Sequence, residues 1–453
     1  MTEDKPRRLA LKILEDGPSR KPGRGRVSLD EIFLRESHLT ARDRAFINHL
    51  VQGVFRWRLR LDWIIEQASD LPFKKIKPPV LNILRLALFQ VFFLDRVPDS
   101  AAVNEAVKQA KGGGARHAAP FINGILRNIC RHKEKFSLPD RDKDPALYLS
   151  VFYSYPRWLV QYWVEKWGRP FTEALLDAEN RRPQMTLRTN TLRISRDALL
   201  GELQDAGIMG RPTPYSPEGI LLPDFRGTVM DLEAFQKGFF QVQDQAAQIT
   251  THLLAPRAGE SILDVCAGLG GKTSHLAQLM GDEGHVVALD VSRDRLVKLR
   301  ANSGRLGLAR TEPVAADAMG GLGSLFKATF DRILVDAPCS GLGVLSRHPD
   351  GKWNKEAEDL VRLSRVQKKI LEQGLSLLTR GGHLLYVTCT LTEEENEGLV
   401  RGILEDNRDV CLRDLREHGP EWAWDLIDGE GFFRTYPHMH QMDGFFAALF
   451  VKK

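Results

Sequence analysis

Four short apolar runs, at 261–265, 285–289, 332–335 and 383–388, alternate with helical patterns in the second half of this chain, and this constrains its fold more than any other feature. Strands separated by helices pair as a parallel sheet with helices on both faces, because each crossover must return the chain to the same edge. All the strand-to-helix turns then lie on one edge, where open parallel sheets bind ligands. The residues in those turns are the first place to look for chemistry.

The front of the chain reads differently. From Ser28 to about Lys135 the apolar residues recur at helical spacing, as in Phe46, Ile47, Leu50, Val51, Val54 and Phe55 and in Val103, Ala106, Val107 and Ala110. Breaks fall at Pro78-Pro79, at Pro98 and at Gly112-Gly113-Gly114, so an all-α bundle is expected. The stretch 137–145, rich in Asp, Arg, Lys and Pro, reads as a linker. Beyond it come an amphipathic helix at 158–167 and a small α/β subdomain over 185–222. The expected division is a helical domain at 1–139, a linker helix with the subdomain at 140–235, and a Rossmann-like domain at 236–453.

Charge divides the same way. Residues 1–150 hold 28 Lys and Arg against 18 Asp and Glu, and the remainder 36 against 41. Basic residues gathered in one segment point to a polyanionic partner, although a solvated basic surface explains the charge alone as well. Clusters at Arg56, Arg58 and Arg60, at Lys74, Lys75 and Lys77, and at Arg131, Lys133 and Lys135 are expected to line an RNA path. The first residues lack the apolar core of a signal peptide, and the longest apolar stretch, 83–94, is short and interrupted by Arg85 and Gln90. The five cysteines include no close pair of disulfide or zinc-ligand spacing. A cytoplasmic, reducing location is expected, with no membrane, no metal and a monomeric chain.

The first strand of the alternating region runs into Asp264-Val265-Cys266-Ala267-Gly268-Leu269-Gly270-Gly271-Lys272-Thr273, followed by an apolar helix. A glycine-rich turn there lets a ligand approach the backbone beside a helix N-terminus. Its end resembles a phosphate-binding loop, but Cys266 stands where that motif needs a glycine, which weakens a nucleotide triphosphate reading. The second strand ends at Asp290, placed to accept ribose hydroxyls of an adenosine ligand, and a third should end near Asp317. A lone strand-end aspartate is more often a turn or cap residue; three acids, Asp264, Asp290 and Asp317, at successive strand ends favour a site.

The fourth strand opens into Asp336-Ala337-Pro338-Cys339-Ser340-Gly341 and the fifth into Thr388-Cys389-Thr390, so two cysteines converge on one edge. A single buried cysteine is usually apolar filler, the reading given to Cys130 and Cys411. Beside a glycine-rich loop and helix N-termini, a thiol is expected to have a depressed pKa and raised reactivity. That suits chemistry at carbon 5 of a cytosine, which is too weakly nucleophilic until a thiolate adds at carbon 6.

At these residues the chain resembles the RNA cytosine-5 methyltransferases, and more closely the bacterial RsmB (Sun, Fmu) family that modifies 16S ribosomal RNA. The resemblance runs from a NusB-like segment, Arg42-Asp43-Arg44 through Phe121-Ile122-Asn123-Gly124, to the closing Asp443-Gly444-Phe445-Phe446. It implies S-adenosylmethionine as cofactor, bound by Cys266, Ala267, Gly268, Leu269, Gly270, Gly271 and Lys272 and by Asp290, Asp317 and Asp336. It implies Cys389 as nucleophile, Cys339 as the residue assisting breakdown of the covalent adduct, Asp336 as polarising the cytosine, and the Pro338 backbone as positioning it. The segment around Gln243-Asp244-Gln245 is implied to pack the cofactor site. The family usually has Ala-Pro where this chain has Gly268-Leu269, so altered cofactor affinity is expected.

Other readings are a non-catalytic RNA-binding protein, which leaves both cysteine loops unexplained, and a transfer RNA or large-subunit RNA substrate. His438 and His440 read as an exposed loop rather than a metal pair. Thr392 with Glu395 reads as a capping box opening a helix after the Cys389 strand.

Overall fold

Helix α2 (Ala41–Ala68) is the axis of the amino-terminal bundle, and its sequence explains both its start and its packing. Thr40 and Asp43 form a reciprocal capping box at its N-terminus, worth about 1 kcal/mol. Ile47, Leu50, Val51, Val54, Leu61 and Ile65 then follow helical spacing and are buried. The structure is a computed structural model that describes residues 4–16, 33, 36, 39–223, 225, 227–327 and 329–453; the expected helical start at Ser28 lies outside them.

The chain divides into two units, the first comprising Met1–Arg181 with Leu345–Lys355, the second Arg182–Val344 with Glu356–Lys453. In the first, α1 (Lys5–Asp16) and α2 pack with α3 (Pro78–Phe93), α4 (Asp99–Gly112) and α5 (Ala119–Arg131) around one apolar core. The expected breaks hold: α3 begins at Pro78, Pro98 precedes α4, and α4 ends at Gly112. The segment 137–144 carries no regular helix or strand, and α6 (Pro145–Tyr153), α7 (Arg157–Trp167) and α8 (Arg169–Asn180) complete the unit.

Segment 345–355 belongs to this unit because it meets the middle of α2. Trp353 Nε1 donates to the Phe55 carbonyl at 2.6 Å and Lys352 Nζ to the Arg56 carbonyl at 2.9 Å. Four residues on, the Leu59 and Arg60 amides point at the Ser154 hydroxyl, at 2.8 and 3.4 Å. Lys352 is fully buried over the Tyr155 ring, 3.7 Å from its centroid, and burial pushes its ammonium well below the usual range.

Several cations expected on an RNA path have internal partners instead. Arg56 donates to the Ser346 carbonyl, Arg60 lies over Phe152, and Lys133 pairs with Asp99. Lys74, Lys75, Lys77, Arg131 and Lys135 are exposed.

The second unit holds two sheets. The smaller, in order β2-β3-β1-β4, is built from β1 (Met185–Thr189), β2 (Arg211–Pro212), β3 (Gly219–Leu222) and β4 (Phe240–Val242), with α9 (Arg196–Asp205) beside it. The larger contains β5 (Ser261–Val265), β6 (His285–Asp290), β7 (Thr311–Ala315), β8 (Phe330–Asp336) and β9 (Leu378–Thr388), all parallel. These five run in the order β9-β8-β5-β6-β7, so the order reverses between β5 and β8. That reversal is where such sheets bind ligands.

The sheet is not wholly parallel, as the alternation had suggested. Strands β10 (Val410–Arg413), β11 (Phe433–Arg434) and β12 (Phe446–Lys452) pair antiparallel. The register gives the reason: Phe446 opens β12 opposite Thr388, the last residue of β9, so the chain re-enters at the carboxyl edge and must run back. This delivers Gly444 and Phe445 to the edge that carries the cysteines. Among the described residues, no helix is long and apolar enough to cross a membrane.

A Cβ added at Gly53 on α2 would lie 2.0 Å from the Phe89 ring on α3. Gly53→Ala is expected to lose about 1–3 kcal/mol by overpacking although alanine favours a helix. Adding Phe89→Leu should recover part of that loss in urea denaturation.

Candidate active site

The glycine-rich loop leaves β5 with Cys266 in the left-handed region at φ 65°, followed by Gly268 at 59° and Gly270 at 80°. The turn is closed by the Gly270 amide donating to the Ala267 carbonyl at 3.0 Å. Gly270 is required on two counts, because its φ is positive and an added Cβ would lie 2.5 Å from Leu299 on α12 (Arg293–Leu306). Leu269, where the resembling family usually has proline, is 56% exposed at the tip. Gly271 then opens α11 (Gly271–Leu279), whose amino end faces the same edge.

Asp290, at the end of β6, is almost fully buried and accepts the amides of Gly268 at 2.9 Å and Ser292 at 2.8 Å. It thereby ties the glycine loop to the next strand. Asp317 is exposed beyond β7 and accepts the Met319 amide at 2.9 Å, so it makes the local turn that its residue type favours. Lys272 is buried and donates to Asp336 at the end of β8 at 2.7 Å, with the Phe445 ring centroid 5.3 Å away. Burial lowers the Lys272 pKa, but the charge and the hydrogen bond of Asp336 together outweigh it and raise it.

The two cysteines meet: Cys339 Sγ and Cys389 Sγ are 3.3 Å apart. Their loops are joined by buried hydrogen bonds. Glu395, fully buried, accepts from the Ser340 amide at 2.8 Å, the Ser340 hydroxyl, Gln367 Nε2 at 2.8 Å and the Thr392 hydroxyl at 2.9 Å. Gln367, on α13 (Ala357–Ser376), also donates to the Pro338 carbonyl at 3.0 Å. Thr392 and Glu395 therefore do not cap a helix: α14 (Glu397–Asp406) opens after Asn396, and Glu395 turns inward to hold the Cys339 loop. Sequence alone missed Gln367 and this use of Glu395, because their spacing gives no sign that α13 crosses behind the loop.

The expected depressed thiol pKa is not what the surroundings produce. The hydrogen bond with Cys339 comes first, then burial, and both push Cys389 well above the usual thiol range; Lys272 works the other way. Cys266, half-buried, is pushed up to about 12 by burial first and then by the Asp336 and Asp290 charges. Cys130 lies against the helical core, and Cys411 Sγ donates to the Val451 carbonyl, as filler cysteines do. The segment around Gln243 packs beneath the loop: Arg188, fully buried, donates to Gln243 Oε1, to the Gly271 carbonyl at 2.7 Å and to Ser274 at 2.9 Å. Asp244 accepts the Asp443 amide at 3.1 Å. His440 Nδ1 accepts the Tyr436 amide at 2.9 Å.

Family models match along the chain. Residues 4–131 match the NusB family, 155–227 the ferredoxin-like domain of RsmF/B-like methyltransferases, and 251–451 the 16S rRNA methyltransferase RsmB/F model. Among solved structures, NSun6 from Pyrococcus horikoshii, determined with SFG, is 26% identical with a TM-score of 0.58, covering 66% of this chain and 98% of that one. PH0851 shares the fold over 100% of both chains with a TM-score of 0.80 at 23% identity. Fold and site define an S-adenosylmethionine-dependent methyltransferase. The "Probable ribosomal RNA small subunit methyltransferase B" of Synechocystis sp. is 36% identical over 98% of each chain, and that of Bacillus subtilis 33% identical over 93% of each. The chain belongs to this methyltransferase B family, as the resemblance in its motifs implied.

Two outcomes follow from the electrostatics. Removing its hydrogen-bond partner in Cys339→Ala should lower the Cys389 pKa, so iodoacetamide should label Cys389 faster at neutral pH, read by mass spectrometry; an unchanged rate would count against the pairing. Separately, burial pushes Asp264 up to about 7, its Oδ2 accepting from Thr273 while Oδ1 has no partner. Because the folded pKa lies above the unfolded one, its stabilisation is complete below about pH 4 and lost as the pH rises to 7. Between pH 5 and 8, wild type should lose about 2–3 kcal/mol more than Asp264→Asn in chemical denaturation.

Proposed function

We propose that this methyltransferase modifies carbon 5 of a cytosine in 16S ribosomal RNA through a covalent adduct on Cys389. The observation that carries this reading is the 3.3 Å approach of two thiols from adjacent strand ends, beside a buried Lys272–Asp336 pair. A single thiol suffices for filler; two held together by Glu395 suit attack and release.

The loop fits S-adenosylmethionine. Gly268 and Gly270 present backbone without a Cβ, and Asp290 retains lone pairs beyond those used for Gly268 and Ser292. Cys266, Ala267, Gly268, Leu269, Gly270, Gly271 and Lys272, with Asp290, Asp317 and Asp336, would hold the cofactor, which supplies an electrophilic methyl group. Asp317, at the rim, is assigned the adenine edge.

The Cys389 proton passes to N3 of the cytosine as the sulfur adds to carbon 6, which makes carbon 5 nucleophilic. Lys272 favours the thiolate, whereas the Cys339 hydrogen bond, burial and Asp336 outweigh it and keep the resting thiol protonated. Asp336 polarises the ring, and the Pro338 backbone, fixed through Gln367, positions it. After carbon 5 is methylated, Cys339 in its thiolate form takes up the carbon 5 proton, the carbon 6–sulfur bond breaks, and Cys389 leaves as thiolate, to which the N3 proton returns. A stacked base cannot reach two half-buried thiols, so the target is taken from a loop or turned out of its helix. The helical domain at 1–139 would hold the surrounding RNA, with exposed Lys74, Lys75, Lys77, Arg131 and Lys135 contributing charge.

Cys389→Ala is expected to abolish methyl transfer to 16S ribosomal RNA. Cys339→Ala should accumulate a protein–RNA adduct that survives a denaturing gel. Normal turnover by Cys389→Ala would exclude the covalent route, and bisulfite mapping showing modified transfer RNA or 23S RNA instead would move the substrate.

A further inference from the structure

Away from the cysteines, the second unit brings together Glu218, just before β3, His252 on α10 (Gln245–Leu254) and His275 on α11. One ligand atom from each lies within 4.8 Å of the others. His252 Nε2 lies 2.9 Å from Glu218 Oε1 and 3.0 Å from Oε2, and His275 Nε2 lies 3.7 Å from Oε1. His275 is fully buried, and its Nε2 has no hydrogen-bond partner.

The neighbouring hydrogen bonds show why that nitrogen matters. The Thr251 hydroxyl lies 2.7 Å from the Gln248 carbonyl, to which it donates, and it also meets His275 Nδ1. Its one proton being committed, it accepts from His275 Nδ1–H, which leaves Nε2 with a bare lone pair aimed at a carboxylate. Moving the proton to Nε2 does not help, since 3.7 Å is too long for a hydrogen bond. In either tautomer a buried polar atom is orphaned, which is costly.

We infer that these three side chains form a site for one divalent transition-metal ion of the zinc class, which takes His275 Nε2, His252 Nε2 and a Glu218 oxygen. Ligand atoms about 2.1 Å from a tetrahedral ion stand roughly 3.4 Å apart, so the 3.7 Å gap nearly fits and the His252 contact must open by about 0.5 Å. Two imidazoles and a carboxylate suit a borderline ion rather than calcium or magnesium. The Thr251 bond to Nδ1 is the kind of outer support that orients a ligating imidazole. The Ser216 hydroxyl lies 3.2 Å from Glu218 Oε2, and the Trp422 ring stands edge-on to His252, 5.2 Å between centroids. The ion would clamp β3 and α10 to α11, the helix that starts at the cofactor loop. The ligands lie 34 and 23 residues apart in sequence, so no motif announces them.

The test is titration of chelator-stripped full-length protein with Co²⁺, in a Cys389→Ser background that removes the thiol pair as a rival ligand. One Co²⁺ per chain is expected, with tetrahedral ligand-field bands, displaced by one equivalent of Zn²⁺. His252→Ala, whose ring is at the edge of the cluster, and Glu218→Gln should each weaken binding at least about tenfold. His438→Ala should not. Circular dichroism checks that each variant is folded, and His252→Ala decides if Glu218→Gln is not. Absence of stoichiometric Co²⁺ binding, or binding unchanged in folded His252→Ala, overturns the site.

Discussion

A carboxylate with no access to water organises the sheet edge that carries both cysteines. Glu395 can stay buried only if its oxygens are matched with donors, because an unpaired buried charge costs several kcal/mol. Its donors come from Ser340, Gln367 and Thr392, and Tyr386 adds a hydroxyl to its main-chain carbonyl at 2.6 Å. Satisfying one side chain therefore fixes the loop after β8, the loop after β9 and the helix between them. The Sγ–Sγ approach follows from that, reinforced by the Ser340 hydroxyl meeting Thr390 at 2.6 Å. On the far side, the Gly343 amide donates to the Cys389 carbonyl at 3.0 Å, and the Gly444 amide to the Gly343 carbonyl at 2.7 Å. A Cβ at Gly343 would lie 2.1 Å from the Gly444 oxygen, so close backbone packing carries β12 against the same loop.

The electrostatics divide the edge into two kinds of group. Lys272 and Asp336 satisfy each other and keep opposite charges beside the thiols. Asp264, fully buried with one oxygen unpartnered, and Cys266, partly buried among carboxylates, are pushed toward their neutral forms. Cys389 belongs with the second kind until a substrate enters, since its neighbour Cys339 holds the proton between the two sulfurs. Such a thiol is protected from adventitious chemistry, and deprotonation is coupled to whatever displaces that contact.

The strand runs, the glycine loop, the acid at the end of β6 and both cysteine turns were legible in the sequence because each sits where local pattern and position in the fold coincide. The antiparallel β12 was not, since an apolar run such as Phe446–Lys452 carries no record of direction; the Phe446–Thr388 register supplies it. Glu395 was misread for a related reason: Thr392 and Glu395 have capping-box spacing, yet the buried Ser340 and Gln367 donors outcompete a helix start. The basic clusters of the helical unit show the same limit, because charge in sequence does not say that Arg56 and Arg60 are taken up internally. The thiol pKa was expected in the wrong direction because the glycine loop and helix ends are visible in sequence, whereas burial and the Cys339 contact are not.

The central claim is that Cys389, and not its neighbour 3.3 Å away, bonds to the substrate. The most direct measurement is to incubate the wild-type chain and S-adenosylmethionine with a 16S ribosomal RNA fragment carrying 5-fluorocytosine, which blocks release after methylation. The trapped adduct is then digested and its attachment site read by mass spectrometry. The account predicts a methylated nucleotide joined to Cys389. Attachment to Cys339, or methyl transfer to unmodified RNA with no adduct trapped on the fluorinated one, would contradict it.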